Sequence, residues 1–367
     1  MRTKIIIDDK VPFIRGVLEP YADVQYHAGA DITPDVARDA DMLIVRTRTR
    51  CDASLLAGSR CRFIGTATIG YDHIDTDYCR VAGIEWCNAP GCNATSVAQY
   101  ITASLLCHAI ARHIDLAQMC IGVVGVGHVG RQVEAQCRRL GMRVLLNDPP
   151  RAEKEGEAGF VSLDTIATQC DYITFHTPLV REGRWATYHL ADEAFWGKLE
   201  RRPVIINAAR GAVVDNCALE KAYDAGLISD MIIDCWENEP APLLSLMSKA
   251  FIATPHIAGY SADGKANATR MMVREVASRL GVNIDLSVIQ PPMPPRPYIV
   301  PDNRVQPLYA AILATYNPLD DSGALKKNPE DFERLRGEYP LRREYAAYKV
   351  TTGENIAEFK EWGFGIG

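Results

Sequence analysis

Three side chains that can do chemistry follow three apolar runs in the second half of the chain. Arg210 comes shortly after VIIN, Glu239 after IIDC, and His256 after FIAT. Because parallel strands of a doubly wound sheet present their carboxyl ends to a ligand crevice, we expect the three at one sheet edge. A guanidinium binds a carboxylate bidentately, an imidazole exchanges a hydroxyl proton near neutral pH, and a carboxylate fixes its tautomer. The set therefore suits hydride transfer at a 2-hydroxy acid.

Each of these side chains also has an ordinary structural explanation. Arg210 could be an ion-paired residue at a helix start, Glu239 an exposed loop acid, and His256 a hydrogen-bonded histidine after a proline. His176, in TFHTP, also ends an apolar run, and we expect it to line a cofactor crevice rather than exchange protons. The catalytic interpretation depends on whether a cofactor motif lies upstream.

Such a motif is present in CIGVVGVGHVGRQVEAQC. Its glycines, Gly125, Gly127 and Gly130, form GxGxxG between an apolar run and a helical pattern, where backbone N–H groups can approach a pyrophosphate. Asp148 ends the next apolar run, 18 residues beyond Gly130, near the position of the acid that binds adenosine ribose hydroxyls. A carboxylate there repels a 2′-phosphate, so NAD is favoured over NADP; the alternative is an aspartate that caps a helix.

Short apolar runs alternate with helical patterns along most of the chain, which predicts parallel sheets. The first series of predicted strands covers residues 4–8, 24–27, 42–46, 62–67 and 83–87. The second covers residues 118–124, 143–147, 172–175, 203–207, 231–235 and 251–254. Between the two series, SVAQ resembles a capping box and begins a predicted helix that extends to about residue 111 and could bridge two domains.

This organisation predicts an α/β protein with two doubly wound parallel-sheet (Rossmann-like) domains and a small α+β C-terminal domain. We expect a substrate (lid) domain of residues 1–95 plus 257–285 and an NAD-binding domain of residues 96–256. A C-terminal domain of residues 286–367 begins with a linker, because seven prolines fall within residues 286–307.

Composition excludes several classes of partner. The formal net charge of −6 and the isoelectric point near 5.8 give no basic footprint for nucleic acid or an anionic membrane. The 11 cysteines are scattered without a CxxC pair, so neither a metal site nor a disulfide framework is expected. The N-terminal apolar run is only three residues long, far short of a signal sequence or membrane span, so we expect a cytoplasmic protein.

The segments NAARGAVVD, DCWENEP and PHIAG, with the spacing of Arg210, Glu239 and His256, resemble the D-isomer-specific 2-hydroxyacid dehydrogenases over about residues 1–285. The resemblance implies that His256 is the general acid/base, Glu239 its partner and Arg210 the substrate clamp.

A closer resemblance is to the members of that family that act on 4-phospho-D-erythronate in vitamin B6 biosynthesis. It lies in GTATIGYDHID, APGCNA, NDPPRA, FHTPL, HLADE, HIAGYSADGKA and the C-terminal YPLRREY. It implies oxidation at C2 with NAD⁺ in a homodimer built through the C-terminal domain. Substrate-binding positions implied by it are Thr47, Thr68 and Tyr260; NAD-binding positions are Asp148, Thr177, Asp234 and Gly259.

The sequence departs from this resemblance in the segment VRTRT. Arg48 stands where a nonbasic residue is more common, and Arg46 or Arg48 is a candidate for holding phosphate oxygens. Two alternatives stay open: a dehydrogenase for another D-2-hydroxy acid such as 3-phosphoglycerate, and a non-catalytic NAD(H) sensor like the co-repressors of the same fold.

Overall fold

The computed structural model describes residues 2–302 and 304–367, which fall into two compact units. The first unit comprises residues up to 93 together with Ala262–Met293, and the second comprises Ala94–Ser261 with Pro294–Gly367. The boundary at residues 293 and 294 lies inside the proline-rich segment that was expected to be a linker. The division into three domains stays a prediction, since residues 294–367 cluster with the NAD-binding region.

The strands form three parallel sheets. Their bounds in chain order are β1 (Lys4–Asp8), β2 (Asp23–His27), β3 (Met42–Val45), β4 (Phe63–Thr66), β5 (Glu85–Cys87), β6 (Cys120–Val124), β7 (Arg143–Asn147), β8 (Tyr172–Phe175), β9 (Val204–Asn207), β10 (Asp230–Ile233), β11 (Ile252–Ala253), β12 (Tyr298–Ile299), β13 (Lys349–Val350) and β14 (Gly365–Ile366). The sheet orders are β2-β1-β3-β4-β5, β11-β10-β9-β8-β6-β7 and β12-β13-β14. The first two sheets confirm the predicted α/β fold, and each predicted strand has a counterpart with bounds shifted by a few residues.

Helices cover and connect these strands. Their bounds are α1 (Pro34–Ala37), α2 (Ala53–Leu56), α3 (Thr76–Ala82), α4 (Ala94–Arg112), α5 (His128–Arg139), α6 (Pro149–Glu155), α7 (Leu163–Gln169), α8 (Glu193–Trp196), α9 (Asn216–Asp224), α10 (Leu244–Lys249), α11 (Ala262–Leu280), α12 (Pro307–Thr315), α13 (Pro318–Lys327), α14 (Phe332–Gly337) and α15 (Ile356–Glu361). Among the described residues, no helix has both the length and the apolar composition needed to cross a bilayer.

Helix α4 is the central helix of the second unit. It is buried along nearly its whole length from Ala94 to Ala109, and its mostly small and apolar side chains are interspersed with a few buried polar ones. The hydrophobic core around α4 contains strand residues such as Ile121 and Ile206. It also contains aromatic residues of the C-terminal segment, including Tyr345 and Trp362. The C-terminal segment therefore shares a hydrophobic core with the NAD-binding sheet, because its aromatic side chains pack against α4.

Candidate active site

The glycine-rich loop connects β6 to α5, as the sequence predicted. Gly125 has a φ of +88° and lines a cavity of about 500 Å³. At Gly130 a side chain could not be accommodated, since a Cβ atom there would lie 2.1 Å from the Gly125 carbonyl oxygen. Gly127 caps α5 and has open space where a Cβ would stand, so a ligand can approach this helix N-terminus closely. This geometry fits a dinucleotide pyrophosphate.

Asp148 follows β7 and lines the same cavity. Its carboxylate accepts hydrogen bonds from the backbone N–H of Val126, at 2.7 Å, and of Arg151, at 3.1 Å, so it caps α6 and ties the glycine-rich loop to β7. The helix-cap explanation is thus part of its role. Each carboxylate oxygen retains a second lone-pair direction for a ribose hydroxyl.

His176 and Thr177 follow β8; Thr177 lines this cavity, and His176, expected to do so, is not among the lining residues. His176 Nδ1 and Thr177 Oγ1 are buried without a hydrogen-bond partner among the described residues. Burial lowers the pKa of the His176 imidazole to about 3. A permanently neutral imidazole is a poor proton exchanger at neutral pH. Unpaired buried polar atoms of this kind are usually satisfied by a ligand or by water, so the cavity fits a polar cofactor.

His256 and Glu239 form a close pair in the second unit. His256 Nδ1 lies 2.8 Å from Glu239 Oε2 and 3.1 Å from Oε1. Burial raises the pKa of Glu239, but the hydrogen bond and charge of His256, the Trp236 N–H and the charge of Arg336 together bring that pKa below its usual value. The ionised carboxylate accepts a hydrogen bond from Nδ1–H, which leaves Nε2 for exchange with a substrate hydroxyl.

Asp234 holds the loop that carries His256. This aspartate is 1% exposed and accepts hydrogen bonds from Thr254 Oγ1, at 2.7 Å, and from the N–H groups of Ile257, at 2.8 Å, and Ala258, at 3.0 Å. Burial is the largest influence on its carboxyl group and raises its pKa. These bonds offset the cost of the left-handed backbone at His256, whose φ is +56°. Direct contact of Asp234 with NAD stays a prediction.

Arg210 follows β9, and its side chain is exposed. Its Nη1 donates to the Ala209 carbonyl at 2.7 Å, and no ion pair joins it to a carboxylate within the described ranges. The ion-paired explanation raised by the sequence therefore does not apply, and most of its N–H donors can face a ligand. Gly211 is required next to it, because a Cβ there would lie 1.8 Å from the Trp236 carbonyl oxygen.

Cys235 links these residues spatially. Its Sγ lies 3.5 Å from the Ala209 carbonyl oxygen, and its ligand atom falls within 4.8 Å of those of Glu239 and His256. The structure thus brings the backbone beside Arg210 next to the His256–Glu239 pair. Burial raises the pKa of the Cys235 thiol well above its usual value.

A group of possible metal ligands, His189, Asp215 and Glu237, is explained by hydrogen bonds. His189 Nε2 lies 2.7 Å from Glu237 Oε1, the other Glu237 oxygen accepts from the Asn216 N–H at 2.9 Å, and Asp215 caps α9. These bonds fix the chain on either side of the Arg210 turn.

Tyr260 and Gly259 follow His256 in the same loop, and both are partly buried. The Tyr260 hydroxyl accepts a hydrogen bond from Arg336 Nε at 3.1 Å, and Arg336 Nη1 lies 3.6 Å from Glu239 Oε2. The sequence did not identify Arg336. It lies just before YPLRREY, the segment that carried the C-terminal resemblance, and nothing in the run FERLRG indicated which arginine turns inward.

Thr47 and Thr68 belong to the first unit, where they follow the neighbouring strands β3 and β4. Thr47 is exposed; the Thr68 hydroxyl donates to the Gly70 carbonyl at 2.8 Å and lies 2.7 Å from Thr66 Oγ1. Arg46 donates to the Lys10 carbonyl at 3.1 Å, and Arg48 is exposed. These residues share one edge of the first sheet, as their positions after adjacent parallel strands require.

Comparison with known proteins agrees with this geometry. The model of the D-isomer specific 2-hydroxyacid dehydrogenase NAD binding domain matches residues 103–258, and a domain of unknown function matches residues 300–363. Erythronate-4-phosphate dehydrogenase of Bacteroides thetaiotaomicron is 53% identical over 95% of this chain and 99% of that protein. The enzyme of the same name from Porphyromonas gingivalis is 44% identical over 95% of each chain.

A solved structure shows the same architecture. The D-lactate dehydrogenase of Aquifex aeolicus, complexed with NAD and lactic acid, is 25% identical, with a TM-score of 0.61 over 79% of this chain and 100% of that chain. The fold, the glycine-rich loop and the cavity define an NAD-dependent oxidoreductase. The chain belongs to the D-isomer specific 2-hydroxyacid dehydrogenase family, which confirms the predicted family and the predicted cofactor.

Proposed function

We propose that this chain oxidises 4-phospho-D-erythronate at C2 to (R)-3-hydroxy-2-oxo-4-phosphonooxybutanoate, a step of pyridoxal 5′-phosphate biosynthesis. The observation that carries the proposal is the His256–Glu239 pair at 2.8 Å, in a unit where Arg210 has no carboxylate partner among the described residues. Support for the phosphorylated substrate comes from relatives named erythronate-4-phosphate dehydrogenase that align over nearly their whole length.

In the proposed mechanism each residue has a separate task. Arg210 binds the substrate carboxylate with two parallel hydrogen bonds. His256 Nε2 takes the proton of the C2 hydroxyl as the carbonyl forms, and Glu239 holds Nδ1–H and stabilises the resulting imidazolium. Bound NAD⁺ supplies the acceptor for the C2 hydride. Proton and hydride leave the same H–C–O–H group, so the oxidation is balanced.

We assign substrate binding to Thr47, Thr68 and Tyr260, with Arg46 or Arg48 as candidates for the phosphate. We assign cofactor binding to Gly125, Gly127, Gly130, Asp148, Thr177, Asp234 and Gly259. Support for the second group comes from the open approach at Gly127, the Asp148 lone pairs and the unpaired Thr177 hydroxyl.

Two further proposals concern assembly and location. We propose a homodimer formed through the C-terminal segment, in which Tyr298 is 62% and Val300 78% exposed. We propose a cytoplasmic location, because a phosphate ester and NAD are multiply charged and do not cross a bilayer unaided.

The test compares NADH formation from 4-phospho-D-erythronate, unphosphorylated D-erythronate and 3-phospho-D-glycerate at equal concentrations. We expect the highest kcat/KM for 4-phospho-D-erythronate. Equal or higher kcat/KM for 3-phosphoglycerate would assign the chain to another dehydrogenase of the family. Tight NADH binding without turnover of any hydroxy acid would instead favour the sensor alternative.

A further inference from the structure

Arg336 lies in α14, in the C-terminal segment, and its side chain is 30% exposed. Arg334, two residues earlier on the same helix, is 54% exposed and pairs with Asp331 at 2.6 Å. Arg336 instead turns inward, where its Nε donates to the Tyr260 hydroxyl at 3.1 Å and its Nη1 lies 3.6 Å from Glu239 Oε2. One guanidinium therefore contacts both a proposed substrate-binding residue and the partner of the proposed acid/base.

The surrounding chain fixes this arrangement. Arg342, 4% exposed, donates from Nη2 to the Ala258 carbonyl at 2.5 Å, inside the loop between His256 and Tyr260. Ser261, which follows that loop, donates from its hydroxyl to Glu344 at 2.6 Å. The C-terminal segment and the loop are thus joined at further points, on the C-terminal side of α14.

We propose that Arg336 is a positioning residue of the dehydrogenation reaction, acting through the Tyr260 hydroxyl and the Glu239 carboxylate. The proposal rests on the function proposed above, because it assigns a task at the same site. The Arg336 hydrogen bond orients Tyr260 toward the substrate. Its positive charge favours ionised Glu239, so that the carboxylate stays available to the His256 Nδ1 proton.

Several charged or titratable groups face the His256–Glu239 pair. Asp234 lies beneath His256, Cys235 lies beside both residues, and Arg210 lowers the pKa of its thiol whereas Glu239 raises it. Glu333, 4.0 Å from Arg336 Nη1, partly offsets the arginine charge. Arg336 acts on Glu239 and Arg342 acts on Asp234, so removing Arg336 leaves a more negative surrounding at Glu239. Protonation of the pair then begins at higher pH.

The experiment compares Arg336→Gln and Arg336→Lys with a matched control, Arg334→Gln, on the outer face of the same helix. We expect Arg336→Gln to lower kcat/KM roughly 10- to 100-fold, as for loss of a hydrogen bond to a charged group. The acid limb of its pH–kcat/KM profile should move to higher pH. Arg336→Lys should restore the position of that limb because it keeps the charge, and Arg334→Gln should match the unmodified protein.

A second measurement does not depend on substrate. Carbethoxylation of His256 by diethyl pyrocarbonate requires a neutral imidazole, and peptide mass spectrometry gives its rate at each pH. We expect the midpoint of that rate to move to higher pH in Arg336→Gln alone. If 4-phospho-D-erythronate is not a substrate, the proposed function fails while this measurement still tests Arg336.

Two results would overturn the positioning role. One is an Arg336→Gln protein whose kcat/KM and both pH profiles equal those of the Arg334→Gln control. The other is a lower melting temperature with unshifted pH profiles and equal damage in Arg336→Lys, which would give Arg336 a purely structural role. A smaller effect of Arg336→Gln in a Tyr260→Phe background than in the unmodified protein would support action through Tyr260.

Discussion

At the scale of single residues, proton exchange depends on one imidazole nitrogen. Glu239 occupies His256 Nδ1 at 2.8 Å, so the other ring nitrogen is left for the substrate. We predict that His256→Ala lowers kcat about 10²- to 10⁴-fold, the usual contribution of general acid/base catalysis. NADH affinity should change little, because the cavity that fits the cofactor is lined by other residues, including Gly125 and Asp148.

Steady-state rates and a fluorescence titration with NADH check this prediction. The control is His113→Asn, at an exposed histidine with a φ of +56°, a conformation that asparagine tolerates. Turnover by His256→Ala equal to that of the control would remove His256 from the proton-exchange role.

The charge of Glu239 has a consequence for stability at different pH. Because the folded-state pKa of Glu239 is lowered, the stabilisation from its ionised form is fully present above its ordinary value of 4.5 and is lost as pH falls through the lowered value. We predict that Glu239→Gln lowers the melting temperature at neutral pH. The difference in melting temperature between this variant and the unmodified protein should become smaller at pH values at which Glu239 is protonated. Thermal scans across pH test this, and a difference that grows as Glu239 protonates would contradict it.

At the scale of elements, strand β10 organises the active-site loop through its C-terminal end. Asp234 follows this strand and accepts hydrogen bonds from Thr254 Oγ1 and from the N–H groups of Ile257 and Ala258. An amide at this position has one accepting atom, so Asp234→Asn leaves a buried N–H unpaired and costs roughly 1–3 kcal/mol in the free energy of unfolding. We also predict a loss of kcat, because the His256 loop is no longer held.

The matched control lies at the other end of the same strand. Asp230 is also buried, and it pairs with Arg112 at 2.6 Å. Asp230→Asn should lower the melting temperature too, but should keep kcat. Chemical denaturation and steady-state kinetics on both variants separate the two effects; equal kcat values would show that Asp234 does not act through the loop.

The elements also show what the sequence could predict. Apolar runs such as VIIN predicted strands that the structure shows buried on both faces, and the glycine spacing after β6 predicted the cofactor loop. Both predictions succeed because they depend on local sequence patterns. Strand β12 and the inward side chain of Arg336 depend instead on where the chain returns in three dimensions. A two-residue strand has no periodicity, and the charge pattern of α14 is the same for Arg334 and Arg336.

At the scale of the whole molecule, the C-terminal segment contributes to both the core and the surface. Its aromatic residues Tyr345 and Trp362 are buried with α4, whereas Tyr298 in the edge strand β12 and Val300, which directly follows that strand, are exposed. Ile299, between them, is buried, so the exposed apolar side chains lie on either side of a buried residue. Exposed apolar neighbours on an unpaired strand edge are a suitable contact for a second copy of the chain.

We predict that the chain is a dimer in multi-angle light scattering and that Val300→Glu shifts it toward monomer, since a buried unpaired charge is costly at an interface. The control is Val81→Glu in the first unit, where the valine is 79% exposed compared with 78% for Val300. The two variants therefore add the same charge at valines of nearly equal exposure. Monomeric unmodified protein would contradict the proposed dimer, and equal dissociation by both variants would mean that the contact does not involve β12.

Because Arg336 is in the same segment, a dimer-breaking variant that keeps kcat would further show that the task of Arg336 is performed within one chain.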